Sequence, residues 1–400
     1  MSMQHPICII GAGIAGLTAA IALAREGNDV CVLERTGGPL ETGAGIQLGP
    51  NAVQILDRLD VTIRSSPLAH RTEQIEIMDG LSNKRLASLP VGPRTRSDYG
   101  ADYVTIHRQD LIDLLWNKAE DTDNITLRTH FDVQDLVPEQ ESNILTSATG
   151  ENVKARFVIV ADGIWSRTRQ KLFATSVPQY AGKSAYRALV PLSEHDEAHD
   201  LLTTRIWLAP QVHLVHYPVR GGSLLNIVAI VDEAARSPDW SRPADFDQIL
   251  PHFTNWPYPL VELLESAPVW NRWSLAELEP VNSWFRKNIL LIGDAAHPVL
   301  PFLAQGGGLA IEDGFEIALH LARSGTSSKG ENDITAVCQA FENSRRPRVQ
   351  RVQAASQRNG TIYHMQGLAR FGRNQFIQQM GGERLLRQYD WLYTYRPQEK

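Results

Sequence analysis

The feature that most constrains this chain is Gly11-x-Gly13-x-x-Gly16, set between an apolar run, His5-Pro-Ile-Cys-Ile-Ile10, and an Ala/Leu-rich stretch from Ile14 to Glu26. The run reads as a short buried strand. The stretch reads as a helix that stops at Gly27. Asp29-Val-Cys-Val-Leu-Glu34 reads as a second strand, so the three pieces form a βαβ unit with parallel strands. In such a unit Gly11 allows the tight turn, Gly13 lets backbone approach a pyrophosphate, and Gly16 lets the helix pack on the strand. Free N–H groups at the positive end of the helix hold the phosphates. Glu34, at the end of the second strand, is placed to accept hydrogen bonds from a ribose.

The same apolar run invites a different reading, as a signal peptide or membrane span. No basic segment precedes it, it carries three glycines at fixed spacing, and a strand-like segment follows at once. No other stretch approaches membrane-spanning length. A formal charge of −6 supplies no basic excess for nucleic acid or an anionic membrane. Three scattered cysteines, Cys8, Cys31 and Cys338, form no metal-ligand pattern and fit a reducing, cytoplasmic compartment.

Four hundred residues suggest about two domains. Residues 71–100 have weak periodicity, with turn residues at Asp79-Gly80 and Gly92-Pro93, and Tyr103 to Lys118 returns to strand then helix. Arg156-Phe-Val-Ile-Val-Ala161 and Asn288-Ile-Leu-Leu-Ile292 read as buried strands of the parallel type. Between them, from Tyr180 to about Trp273, short alternating segments such as His213-Leu-Val-His-Tyr217 indicate an antiparallel sheet. Glu312–Arg323, Ala336–Gln353 and the last fifty residues read as helices, ending in an aromatic tail, Trp391-Leu-Tyr-Thr-Tyr395. The nucleotide-binding pieces therefore lie at the start, middle and end of the chain.

Two further elements each follow a strand. Leu290-Leu-Ile-Gly293-Asp294-Ala-Ala-His-Pro298 repeats the order strand, Gly-Asp, helix, with Asp294 able to bind a polyol hydroxyl. Val160-Ala-Asp162-Gly163-Ile-Trp-Ser166-x-x-Arg169 is the other. A simple NAD domain has no need for the Gly293-Asp294 element.

Together the three elements resemble the single-component FAD aromatic hydroxylases, the family of para-hydroxybenzoate and salicylate hydroxylases. The resemblance implies an α/β FAD-binding domain, Rossmann-like and of the glutathione-reductase type, with an inserted, mostly antiparallel substrate sheet and C-terminal helices. The FAD-binding domain is expected over 1–70, 101–171 and 281–345, the substrate domain over 71–100 and 172–280, and a helical segment over 346–400. Gly11, Gly13, Ala15, Gly16 and Glu34 would hold the ADP half of a non-covalent FAD. Asp162 and Gly163 would serve flavin and nicotinamide, and Asp294 the ribityl chain. Arg35, Gln47, Arg108, Val133 and Pro298 match other flavin-contacting positions. The Pro301–Gly308 loop would meet the flavin ring with the N–H groups of Gly306, Gly307 and Gly308, where the family commonly has other residues at 307 and 308 and Ala at 314. The triple glycine is expected to loosen this loop.

The same resemblance implies a small aromatic acid, NAD(P)H (NADH over NADPH) and O2 as substrates, no metal, a homodimer, and a place in aromatic catabolism. The likeness is greatest to the 3-hydroxybenzoate, salicylate and 6-hydroxynicotinate hydroxylases. Making a phenol ring reactive needs a general base. Along a strand, positions 213, 215 and 217 share one face, so His213 and Tyr217 line one surface and His216 points away. With the resemblance, His213 is the base, Tyr217 a hydrogen-bonding partner of the substrate, and Gln305 an orienting amide beside the flavin. His297 reads as structural. Arg187 stays open between a carboxylate, the cofactor and a surface role. The rivals are another flavoenzyme on this scaffold, such as a halogenase or a ring-saturating reductase, and a non-catalytic flavin-binding redox protein; the Trp-x-Trp-x-Ile-Pro signature of halogenases is absent.

Overall fold

The computed structural model describes residues 5–39, 44–139, 142–192, 201–234, 240–325 and 331–397. The glycine-flanking strand Ile7–Ile10 pairs in parallel with Val30–Leu33 on one side and with Phe157–Val160 on the other. Ile125–Arg128 and Ile289–Leu291 extend this layer outward, and a short antiparallel strand, Phe285–Arg286, closes one edge. The central strands are buried on both faces and therefore read as unbroken apolar runs. The helix Ile14–Arg25 covers one face and is itself covered by the helix Gly306–Arg323.

The second layer is an eight-stranded sheet in the order Ser241–Ala244, Trp270–Glu277, Gln179–Pro191, Leu224–Asp232, Val212–Val219, Thr203–Ala209, Gln74–Asp79, Lys84–Leu89. It is antiparallel except where Thr203–Ala209 runs parallel to Gln74–Asp79. The weakly periodic 71–100 segment thus supplies two strands to a sheet otherwise built more than a hundred residues later.

The two faces of this sheet differ. Tyr186, Leu214, Ile227, Ala229 and Trp270 pack on one side with Phe253, Trp256 and Leu260, forming a closed apolar core. Register puts Lys183 opposite Asp232, Arg187 opposite Val228, Val228 opposite Val215, and His213 opposite Ile230. Directly opposed residues point the same way, so Lys183, Arg187, His213, Val215, Tyr217 and Asp232 share the other face. His216 lies on the apolar side, stacked on Trp207 at 6.2 Å.

A small sheet of Gly45–Leu48, Val104–His107 and His70–Arg71 joins the layers. Asn226 Oδ1 accepts from the Gly45 N–H at 2.7 Å, and Thr105 Oγ1 donates to the Pro218 carbonyl at 2.6 Å. The helix expected to stop at Gln353 instead runs from Glu331 to Tyr363, unbroken across Pro347 and across the 345/346 division. Gly360 does not end it because its bare face receives the Phe302 ring, 2.9 Å from where a Cβ would stand. Among the described residues no helix is long and apolar enough to cross a membrane.

Candidate active site

The glycine turn fits a bound dinucleotide residue by residue. Gly11 has φ +100°, and a Cβ there would stand 2.7 Å from the Ala161 carbonyl oxygen. Glycine is required for both the backbone angle and the approach. A Cβ on Gly16 would fall on the Gly11 carbonyl, whereas one on Gly13 would meet nothing within 4 Å. The helix that Gly13 opens has no side-chain cap, which leaves its first N–H groups for a ligand. Glu34 is locked beside this turn: its Oε2 accepts from the Ala12 N–H at 2.9 Å, and its Oε1 from the Thr36 N–H at 3.0 Å and hydroxyl at 2.8 Å. Arg35 is exposed and Val133 half-buried.

The other two elements converge on the same cleft. Gly293, with φ +57°, lies against Ala15. Its N–H donates to Asp313 Oδ2 at 2.9 Å. Asp294 is open to solvent, yet the walls around it raise its carboxyl above the usual range against the pull of Arg108 and His297. Asp162 is more enclosed. Its Oδ1 is buried without a partner, and burial pushes its pKa up to about 6 despite the Ser166 hydroxyl. Gly163, with φ +82°, turns the chain beyond it. Arg169 ties the two elements together, donating to the Ile164 carbonyl at 2.7 Å and the Ala295 carbonyl at 3.1 Å.

Gly306, Gly307 and Gly308 form the first turn of a regular helix rather than a loosened loop. A Cβ on Gly307 would strike Ile46, and one on Gly308 would stand 2.8 Å from Gln305 Oε1. Close packing, not slack, explains Gly307 and Gly308. This helix also begins without a side-chain cap. The preceding loop is held by a polar stripe on Glu331–Tyr363. Gln353 Nε2 donates to the Pro298 carbonyl at 2.9 Å, Ser356 Oγ to Leu300 at 2.6 Å, and Asn359 Nδ2 to Phe302 at 3.3 Å. Two uncapped helix starts, an open glycine, an orphaned carboxylate oxygen and exposed Asp294 fit an extended flavin dinucleotide: N–H groups for phosphates, carboxylates for hydroxyls.

Under this site lies a buried charge cluster. Asp313 accepts from His297 Nε2 at 2.6 Å and Arg345 Nε at 2.8 Å. Burial opposes its ionisation, but His297, Arg345 and the Gly293 N–H bring its pKa down to about 2. Glu312 binds Arg345 at 2.8 Å and Arg348 at 2.6 Å. Arg348 then stacks on Tyr395 at 3.7 Å and Arg351 on Trp391 at 3.9 Å, which docks the aromatic tail. His297 is structural, as its position at a helix start suggested.

At the opposite wall, His213 is 1% exposed and touches Phe302, Tyr363 and His364 with ring centroids 5.1–5.5 Å away. Burial, with His364 and Lys183 adding to it, holds its pKa well below the ordinary histidine value. It is neutral at pH 7 and able to accept a proton. Tyr217 is buried beside Gln47 and Arg187, and burial raises its phenol. Gln47 also accepts from Tyr103 Oη at 3.0 Å, so it stands between two tyrosines. Arg187 is drawn inside: its guanidinium lies over Trp273 at 5.2 Å, its Nε is sealed without a partner, and burial lowers its pKa. Gln305, expected as an orienting amide, has its carbonyl oxygen tied to the fold. It is 1% exposed, and its Oε1 accepts from Asn51 Nδ2 at 3.1 Å, the same amide that donates to Glu312 at 2.7 Å. The Gln305 carbonyl oxygen is thus held at the helix start.

Sequence reasoning missed His364, Asp232, Lys183, Tyr103 and Tyr363. None belongs to a local motif; sheet register and the docking of the long helix bring His364, Asp232, Lys183 and Tyr363 to the His213 side, and Tyr103 meets Gln47 beside Tyr217.

Residues 4–356 match the FAD-binding domain family. The chain belongs to this family. It is 33% identical to 3-hydroxybenzoate 6-hydroxylase 1 of Aquipseudomonas alcaligenes over the whole of both chains. It is 32% identical to 3-hydroxybenzoate 6-hydroxylase of Klebsiella oxytoca, covering 97% of this chain and 96% of that one. Among solved structures, a salicylate hydroxylase substrate complex superposes with a TM-score of 0.82 at 26% identity, covering 99% of this chain and 97% of that one. The protein is an FAD-dependent aromatic-ring monooxygenase with the expected α/β fold and C-terminal helices.

Proposed function

We propose that this flavoprotein hydroxylates 3-hydroxybenzoate at the ring carbon para to the hydroxyl, with NADH as reductant. One observation carries the reading: a single sheet face carries neutral His213, Tyr217 and the cation of Arg187, and its His213 packs against Phe302 of the loop before the Gly306 helix while Tyr217 packs against Gly45. Bound FAD supplies the electrons and the activation of O2, which no side chain can do. The chain's own work is on the substrate. Arg187, short of a partner for its buried Nε, suits a carboxylate, since a buried cation demands an anion. Tyr217 offers a hydroxyl to the same ligand. His213 takes the phenolic proton, and the phenolate enriches the ring carbon opposite it. The relatives named as 3-hydroxybenzoate 6-hydroxylases favour this substrate.

The likeness to salicylate hydroxylase supports a second reading, salicylate hydroxylated at the carboxyl-bearing carbon with loss of CO2. A panel of hydroxybenzoates and hydroxypyridine carboxylates decides between them, with NADH consumption, O2 uptake and product scored together. Coupled formation of a para-dihydroxy acid from 3-hydroxybenzoate is expected. Catechol and CO2 from salicylate, with 3-hydroxybenzoate inert, would reverse the assignment.

A further inference from the structure

His213 does not stand alone. Its Nδ1 lies 2.8 Å from His364 Nε2, and His364 Nδ1 lies 2.8 Å from Asp232 Oδ1. Lys183, the cross-strand partner of Asp232, pairs with the same carboxylate. His213 Nε2 has no hydrogen-bond partner among the described residues. Exposure rises along the chain of contacts: 1% at His213, 7% at His364, and 30% at the Asp232 side chain. The charged or titratable groups packed around the pair are Lys183, Asp232 and Tyr363. Arg373, from the next helix, donates to the Tyr363 carbonyl at 2.7 Å and closes the end of the long helix just before His364.

With both rings neutral, the carboxylate sets the direction of the line. Asp232 is held ionised: burial opposes this, but His364 and Lys183 overcome it. A carboxylate only accepts, so His364 Nδ1 must donate. In the neutral pair His364 Nε2 then accepts from His213 Nδ1–H, and the bare lone pair of His213 is left on Nε2.

We propose that His364 and Asp232 are positioning residues that hold His213 in its basic tautomer and carry the proton it removes out to solvent. The inference rests on His213 being the base of the proposed hydroxylation. The phenolic O–H bond breaks and its proton bonds to His213 Nε2. The Nδ1 proton of His213 passes to His364 Nε2, and the Nδ1 proton of His364 to Asp232, from which water takes it. No electron leaves or enters the chain of groups. The same steps in reverse reprotonate the product phenolate and restore both tautomers. A sealed base without such an exit would hold an uncompensated charge, which its burial disfavours.

The test uses the FAD-loaded enzyme without O2 or NADH, mixed with 3-hydroxybenzoate in weak buffer containing a pH indicator. Wild type is expected to release a proton on binding and to show the absorbance of the bound phenolate. His364→Gln should slow release at least tenfold with FAD content retained and binding changed only a few-fold. Asp232→Asn should move the midpoint of phenol ionisation to higher pH, because the imidazole line loses its anion. If His364→Gln fails to retain FAD, Asp232→Asn reads the same path from its half-exposed end. Wild-type release rates and an unshifted midpoint in the folded variants would overturn the relay. Absence of release by wild type would remove His213 as base and the relay with it. Product formation from 3-hydroxybenzoate by that same wild type would leave the hydroxylase reading standing.

Discussion

At the cofactor end, Gly11, Gly13, Gly16 and Glu34 come from one βαβ unit and act through backbone: a turn, a close approach, free N–H groups. At the end proposed to hold the base, His213, Asp232, His364 and Lys183 come from three strands and a helix terminus, and meet through side chains. The first end is a local device that any chain of that pattern builds for itself. The second exists only after a sheet has found its register and a 33-residue helix has docked across it. Nucleotide recognition tolerates this locality because phosphates are satisfied by repeating backbone groups. Proton transfer does not, because a base must be buried, neutral and oriented at once.

Substitutions can pull the two ends apart. The largest effect is expected from His213→Ala, which should lower hydroxylation by about 10²–10⁴-fold while flavin absorbance and FAD stoichiometry stay unchanged. Turnover within a few-fold of wild type would place the base elsewhere. Arg345→Met should damage both ends. It strips Glu312 and Asp313 of a buried cation, costing about 3–5 kcal/mol in denaturant unfolding. The pH sign follows from Asp313. Its depressed pKa gives stability that is full above the unfolded value of about 3.9 and lost as pH falls toward about 2. Weakening the depression should raise the pH of acid unfolding. Gly314→Ala is the mildest and should touch the cofactor end alone. Its Cβ would stand 2.7 Å from the Ala19 nitrogen of the glycine helix, an overpacking worth about 1–3 kcal/mol. FAD affinity should weaken while the base's proton uptake keeps its pH dependence; an equal change at both ends would refute the separation.

The same division governs what could be read from the residues. The strand–glycine–helix pattern, the Gly-Asp elements and the alternation that puts His213 and Tyr217 on one face were all legible, because each rests on spacing within a dozen residues. The bond that ties the Gln305 carbonyl to the fold is not legible in this way, because its donor Asn51 is 254 positions away. The triple glycine was read as slack because sequence does not show Ile46 packed against it.

The sequence by itself determined a parallel dinucleotide-binding layer, an inserted antiparallel sheet, and a histidine facing inward from it, since backbone propensity and side-chain period are local properties. Only the tertiary structure decided that Arg187 turns inward and that the end of the long helix brings His364 between His213 and Asp232. Those outcomes depend on register and docking, where groups distant in the chain are desolvated together and must satisfy one another.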